Sequence, residues 1–451
     1  MKTDHLIPQD LHGKFWLVAA DMGYGHQRAI YPLKALSKGG KILNANTSPD
    51  ATAKEKRLWK EMLKAYEFMS RAGKVPIIGS LINGILDCLL YIPKFYPVKD
   101  RSNSTLQVRY LKLRIKKGLC SGILEQIKCP ELPLVTSFYA PAIAAEMADH
   151  KSVFCIICDT DISRAWVSED AASSRIIYFA SGTFSAQRLQ SYGVHEKNIV
   201  LTGFPLPPEL LGDRSLNVLR TNLVSRLGNL DPEGSFSNLY KHSVKAFLTD
   251  ELINGIPSEF QKKSLTITYA VGGAGAQKEI GRQIALSLAK KIHEGKVKIN
   301  LVAGTRTELR DYFISVKKEF GVNRDNIRII WADDNESYFD MFNQVLHTTD
   351  ILWTKPSELS FYCALGIPII MTPAIGPQEK ANSRWLREIG AGIKQQNTEY
   401  TDQWLFDLLS KGRLAEAAWN GFLKARKYGT YNILDFLETG TFVSSNNPLK
   451  R

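Results

Sequence analysis

Several features are missing or scarce, and each absence narrows the reading. Cysteine is sparse: six residues, at 88, 120, 129, 155, 158 and 363, are scattered over 451. That excludes a disulfide-built scaffold. The single CxxC, "CIIC" at 155–158, has no second pair to complete a zinc site, so core thiols in a reducing compartment are expected. No apolar run follows the charged start "MKTDHLIPQD", so no signal peptide is expected and the chain is expected to be cytosolic. No long hydrophobic run is unbroken either. The most apolar stretch, "KVPIIGSLINGILDCLLYIPKFYP" at 74–97, is interrupted by Asp87 and by prolines 76, 93 and 97. It is too broken for a membrane-crossing helix and reads as a buried helix or as a segment dipping into a bilayer surface. Acidic residues are outnumbered, 45 against 58 Lys+Arg, for a net charge of +13. This points to an anionic partner. No nucleic-acid motif accompanies the charge, so a membrane surface or a phosphorylated ligand is expected and nucleic acid is not.

The rest is an ordinary globular composition, 44% hydrophobic and 23% charged, in a chain too long for one core. Short apolar runs alternate with helical segments. The first, "FWLVAA" at 15–20, passes through a glycine loop into a helix. "LPLVTSF", "SVFCIIC", "RIIYFAS" and "NIVLTGFP" follow, to residue 205. Such alternation predicts a parallel α/β sheet. The pattern breaks at 209–262, a polar, turn-rich stretch read as a linker with local helix. It restarts at "SLTITYAVGG" (264–273) and continues through "VKINLVAG", "IRIIWA", "ILWTK" and "IPIIMTP". The expected division is 1–208, a Rossmann-like domain; 209–262, the linker with local helix; 263–440, a second Rossmann-like domain; and 441–451, a frayed tail. Two doubly wound sheets facing each other across a cleft place a ligand beyond the carboxyl ends of their strands.

Two glycine loops sit where strands hand over to helices. "DMGYGHQR" (21–28) lacks the third glycine of a dinucleotide fingerprint. "GGAGAQKEIG" lacks the acidic residue about 20 positions on that ribose binding requires. A nicotinamide enzyme is therefore disfavoured. The richest stretch is 353–392, with two successive strand–loop–helix units. Pro356 suits a first helical turn beside Ser357 and Glu358. Gly376 and Pro377 open a helix carrying Gln378, Glu379 and Asn382. A helix N-terminus with free N–H groups suits a diphosphate, and a nearby carboxylate suits ribose hydroxyls. Ordinary helix capping would explain any one of these residues, but the cluster less well.

On these motifs the chain resembles glycosyltransferase family 28 of the GT-B fold, which includes the diacylglycerol glycosyltransferases and the peptidoglycan enzyme that adds N-acetylglucosamine to a lipid carrier. "DMGYGHQRA" is similar to the family's acidic-x-Gly-x-Gly-His loop. "AYEFMSRAGKVPIIG" resembles the Tyr/Arg/Pro region of lipid-using members. "CDTDISRAW" resembles the Thr-Asp segment, "YGVHEKNIVLTGFPLPPEL" the Gly-x-Pro strand end, and "GPQEKAN" the Pro-Gly-Gln-Glu-x-x-Asn nucleotide loop. The resemblance covers most of the chain.

The resemblance implies inverting, metal-independent transfer of a hexose from a UDP-sugar to a diacylglycerol-type lipid by a protein peripheral to a membrane. UDP-sugar is then a co-substrate, and no cofactor is expected. His26 and Asp161 become candidates for the base. Gly23 and Gly25 line the acceptor and phosphate side. Gly273, Gly275, Lys355, Ser357, Glu358, Gly376, Gln378, Glu379 and Asn382 become donor-binding candidates. Three departures stand out. Glu358 lies eight residues before Gly366, where the family's glutamate lies five before; Ala165 occupies a position where lipid-using members carry histidine; and the linker is long. "DTD" at 159–161 imitates the Asp-x-Asp metal motif of the other large glycosyltransferase fold, which the paired Rossmann halves argue against. A UDP-sugar epimerase of the same architecture and a catalytically silent relative are the alternatives.

Overall fold

Two parallel six-stranded sheets, each flanked by helices, make up the chain. The computed structural model describes residues 7–72, 91–128, 131–248, 264–270, 277–320 and 326–443, with residues 445, 447 and 451. Gly273, Gly275 and most of the apolar stretch 74–97 lie outside the described residues.

In the first sheet β1 (Trp16–Ala19) lies between β2 (Leu43–Asn44) and β3 (Leu134–Thr136). β4 (Val153–Ile156), β5 (Ile177–Phe179) and β6 (Ile199–Val200) follow, in the order β2-β1-β3-β4-β5-β6. Side chains alternate along β1. Leu17 and Ala19 enter one apolar cluster, while Val18 and the adjoining Ala20 enter another. Both faces are covered, which is why these strands read as unbroken apolar runs. Helix α1 (Tyr24–Ile30) follows β1, and α2 (Ala53–Ala72) and α3 (Leu106–Lys116) come later in the same domain.

The second sheet holds β7 (Leu265–Ala270), β8 (Val297–Gly304), β9 (Ile327–Trp331), β10 (Ile351–Thr354), β11 (Ile369–Met371) and β12 (Gly392–Lys394). Its order is β12-β11-β10-β7-β8-β9. The chain walks outward from β7 to β9, then crosses back to β10 and walks the other way, as in a doubly wound sheet. This is the two-domain, Rossmann-like GT-B architecture expected from the sequence. The strands at Leu43–Asn44 and Gly392–Lys394 were not expected.

Two boundaries differ from the sequence reading. Among the described residues of 209–262, read as a linker with local helix, most are helical: α4 (Asn217–Leu230) and a second helix at Ser235–Phe247 lie there. Helix α4 belongs to the second domain by its contacts. Its buried Arg226 donates to the carbonyls of Thr349 (2.7 Å), Leu365 (2.9 Å) and Leu346 (3.3 Å), tying α4 to the main chain of the second domain. Gly366 has φ +69°, and a Cβ there would lie 2.4 Å from Leu223, so glycine is required on both counts. Beyond it, α5 (Asn335–Leu346) follows β9 and α6 (Pro377–Glu388) follows β11. The last helix, α7 (Gly429–Thr439), was assigned by sequence to the second domain, yet it packs on the first. Phe436 meets Phe154 and Phe179, and Asn432 Nδ2 donates to the Thr202 carbonyl at 2.8 Å. The domains are thus joined by two crossings. Among the described residues no helix is long and apolar enough to cross a membrane.

Candidate active site

Each sheet has a switch point where its strand order reverses, and ligands of such sheets bind there. In the first sheet it lies between β1 and β3. The chain leaves β1 and turns at Gly23, whose φ of +107° suits glycine, and α1 begins. His26 sits in its first turn. Its Nδ1 is 2.7 Å from the Ser137 carbonyl just past β3, and Ser137 Oγ donates back to the His26 carbonyl at 2.6 Å. A carbonyl only accepts, so Nδ1 carries the hydrogen and Nε2 keeps its lone pair. The ring lies edge-on to Phe138 and near Trp166. Burial pushes its pKa down to about 4, against the opposing pull of the Ser137 carbonyl and the Glu358 carboxylate. His26 is therefore a neutral imidazole at physiological pH.

Just past β4 the two aspartates of "DTD" go separate ways. Asp161, the sequence candidate, is buried and grips Arg188 in a bidentate pair, 2.7 Å to Nε and 2.9 Å to Nη2; it also accepts from Ile162 N. Arg188 spends its remaining reach on the Pro93 carbonyl at 2.8 Å. Both Asp161 oxygens are thus held by partners within the first domain, and Arg384 of α6 lies 3.9 Å from Oδ2. Removing one partner of such a pair leaves a buried charge alone. Arg188→Met is expected to destabilise the fold by about 3–5 kcal/mol, measured by chemical denaturation. Asp159, two residues earlier, faces the other domain. Burial pushes its carboxyl up to about 6; the Asn382 amide and Lys355 lower it, while Glu358 and Glu379 raise it. A carboxylate tuned toward neutrality at a switch point is suited to acid–base work.

In the second sheet the switch point lies between β7 and β10. Gly273 and Gly275, which follow β7 in sequence, lie outside the described residues. After β10 come Lys355 and Ser357, and a 3-10 run begins at Glu358, with Ser357 as its N-cap and Pro356 just before it. This differs from the α-helical turn begun by Pro356 that the sequence suggested. Helix α6 opens at Gly376 with Pro377 in its first turn. Glu379 turns back, accepting from Ile375 N at 2.8 Å and from Lys355 Nζ at 3.0 Å, so it ties the helix's first turn to the loop before it and to the end of β10. Gln378 lies partly exposed beside Gly376.

The two switch points meet. Asn382 on α6 accepts from Thr160 N (2.9 Å) and Thr160 Oγ1 (2.8 Å). Its amide donates to Asp159 Oδ1 (2.9 Å) and the Pro356 carbonyl (3.2 Å). Glu358, almost fully buried, pairs with Arg28 of α1, 3.2 Å between Nε and Oε1. Gly25 lies close against the second domain: a Cβ there would lie 3.1 Å from Glu358 Oε2. So His26, Gly25, Lys355, Glu358, Glu379 and Asn382 come together at one seam, whereas Asp161 is held by Arg188 of the first domain, with Arg384 of α6 3.9 Å from its Oδ2. Sequence reading missed Arg28, Thr160 and Asp159, although all three stand inside the quoted motifs. Among the described residues no group of three or more His, Cys, Asp or Glu side chains is arranged to hold a metal ion.

Comparison with known proteins agrees with the motif resemblance. Residues 308–433 match a family model described as a domain of unknown function, DUF6938. The chain is similar to the processive diacylglycerol beta-glucosyltransferase of Bacillus subtilis (strain 168), 22% identical over 242 residues, covering 53% of this chain and 50% of that protein. It thus spans half the length of that relative. The protein of the same name from Bacillus pumilus (strain SAFR-032) is 21% identical over 348 residues, covering 76% of each chain. Among solved structures, the S. aureus MnaA–UDP co-structure aligns with a TM-score of 0.44 at 12% identity, over 94% of this chain and 95% of that one. Acinetobacter baumannii MurG aligns with a TM-score of 0.42 at 14% identity, over 94% and 98%. At 21–22% identity the two Bacillus proteins are what this chain is similar to, in line with the motifs quoted above.

Proposed function

We propose that this glycosyltransferase family 28-like chain transfers a hexose from a UDP-sugar to a hydroxyl of a diacylglycerol-type membrane lipid, with inversion and without a required metal. The observation that carries the reading is the seam itself, where an acid–base-tuned Asp159, a neutral His26 and the carboxylate of Glu358 converge at two opposed switch points. Inverting transfer needs one base to take the acceptor proton as the anomeric carbon becomes oxocarbenium-like. Asp159, with its pKa near 6, is that base in our reading. His26, its Nδ1–H committed to Ser137, offers Nε2 to a substrate hydroxyl and orients it. The leaving UDP is stabilised by main-chain N–H groups where α6 begins, at Gly376 and Gln378, and by Lys355.

The membrane part of the reading is supported by the first domain's surface. Lys54, Lys56, Arg57 and Lys60 are exposed on α2, and Arg109, Lys116 and Lys117 on and just after α3. Leu106, Leu113, Tyr96 and Val98 are exposed apolar residues of the same domain. Basic residues beside exposed apolar ones suit an anionic lipid surface. The protein then works peripherally at the cytoplasmic face.

The test is UDP release from a panel of UDP-sugars, with and without vesicles of diacylglycerol in anionic lipid, followed by mass spectrometry of the lipid. Vesicle-dependent release with a hexose-sized mass gain on lipid is expected. Interconversion of the UDP-sugar without lipid would replace this reading with an epimerase. Binding of UDP without any turnover across the panel would leave a silent relative.

A further inference from the structure

Helix α1 and the 3-10 turns after it place Tyr24, Arg28, Tyr31 and Lys34 at helical spacing. Each reaches the other domain. Tyr24 Oη accepts from Thr305 N at 2.9 Å, Tyr31 Oη donates to Asp340 Oδ1 at 2.6 Å, and Lys34 pairs with Glu336. Arg28 goes deepest and is only 3% exposed. Its Nη2 donates to Tyr338 Oη at 3.0 Å and its Nε to Glu358 Oε1 at 3.2 Å. Its guanidinium carbon lies 4.5 Å from the Phe342 ring centre, 4.9 Å from Phe339 and 5.4 Å from Tyr338. A first-domain cation is thus seated in an aromatic box of the second domain, where cation–π attraction is strongest because water is excluded. Nη1 remains buried without a partner.

This seat has a consequence for Glu358. A buried carboxylate keeps one orientation only if a fixed partner holds it. Arg28 is that partner, and it is immobilised on three sides by Tyr338, Phe339 and Phe342. We infer that Arg28 is a positioning residue, which crosses from α1 into the second domain and fixes the Glu358 carboxylate for the hydroxyls of the donor's ribose. The inference rests on the donor reading of this cleft. It assigns the N-terminal glycine-loop helix a part in donor affinity, through a residue that need not touch the donor.

The experiment is a double-mutant cycle of Arg28→Met and Glu358→Gln, read by UDP calorimetry and by steady-state kinetics. Arg28→Met is expected to raise the UDP Kd and the donor KM about tenfold or more, with kcat within a few-fold. In the Glu358→Gln background the same change is expected to move Kd less than about twofold, because the residue it acts through is already neutral. Arg28→Lys, which keeps the charge but loses the Tyr338 bond, is expected to recover part of the affinity. Additive effects, an unchanged Kd, or tighter UDP binding by Arg28→Met would each overturn the inference; the last would make the pair a latch that keeps the donor out. Should Arg28→Met fail to fold, Tyr338→Phe takes its place, with the same direction at about two- to fivefold, and no shift in Kd overturns the inference. A wild-type chain that binds no UDP overturns the donor reading instead.

Discussion

Asp159→Asn is expected to lower kcat by about 10²–10⁴-fold while making the protein harder to melt at pH 8. Both effects come from one cause. Burial raises the Asp159 carboxyl from the ordinary 3.8 to about 6, so its ionised form is disfavoured in the folded chain. A carboxyl with a raised folded pKa contributes stability below pH 3.8, and that contribution is lost as the pH rises through 6. At pH 8 the wild type therefore carries the cost of a charge held out of water, at most about 3 kcal/mol for a shift of about two units. Asp159 is only partly covered, so water reduces that figure. Asparagine keeps the shape and still accepts from Asn382, but has no charge to bury. Its advantage is expected to be several degrees in thermal midpoint at pH 8 and to vanish below about pH 4, where aspartate is neutral in both states.

The same titration fixes the kinetics. In wild type, kcat/KM is expected to fall about tenfold per pH unit below about 6, because the base must be ionised, and the variant is expected to lose that limb. A limb near pH 4 that survives in Asp159→Asn would move the proton to His26, whose imidazole burial holds near that value.

What could be read beforehand, and what could not, divides along physical lines. Strands buried on both faces announce themselves as apolar runs, so β1 and β3 to β11 were visible. β2 and β12 are two and three residues long and too polar to stand out. Helix α7 looked like the end of the second domain because it follows it in sequence. Its place is decided by Phe436 finding Phe154 and Phe179, which lie more than 250 residues away. The choice between Asp159 and Asp161 was equally out of reach. They stand two apart in one motif, and only tertiary structure gives Arg188 to one and Asn382 to the other. The donor cluster at 355–382 was legible as a group because its residues lie close in sequence. Its internal pairings, Glu379 with Lys355 and Glu358 with Arg28, were not.

Asn382→Leu is expected to separate the domains without unfolding either. Asn382 is wholly buried, and its side chain has two lone pairs and two hydrogens, all four in use. Two bonds go to Thr160 and one to Asp159 of the first domain; the fourth, to the Pro356 carbonyl, stays within the second. Leucine fills the space and makes none of them. In the closed state the Thr160 N–H and hydroxyl and the Pro356 carbonyl are then buried unpaired, at about 1–3 kcal/mol each. The chain avoids most of that cost by opening the cleft and letting water in, so the penalty falls on closure and not on either sheet. A closure deficit of about 2–4 kcal/mol lowers kcat about 30- to 1,000-fold. The radius of gyration from X-ray scattering in saturating UDP is expected to rise, while the thermal midpoint changes little. Asn382→Asp is a sharper version, since it keeps the acceptors for Thr160 and places a second carboxylate against Asp159. It is expected to open the cleft at pH 8 and to allow closure near pH 5, where a proton can be shared between the two. Unchanged scattering and unchanged kcat in both variants would show that the seam closes through the α1 contacts alone, and that Asn382 belongs to helix packing rather than to the catalytic cycle.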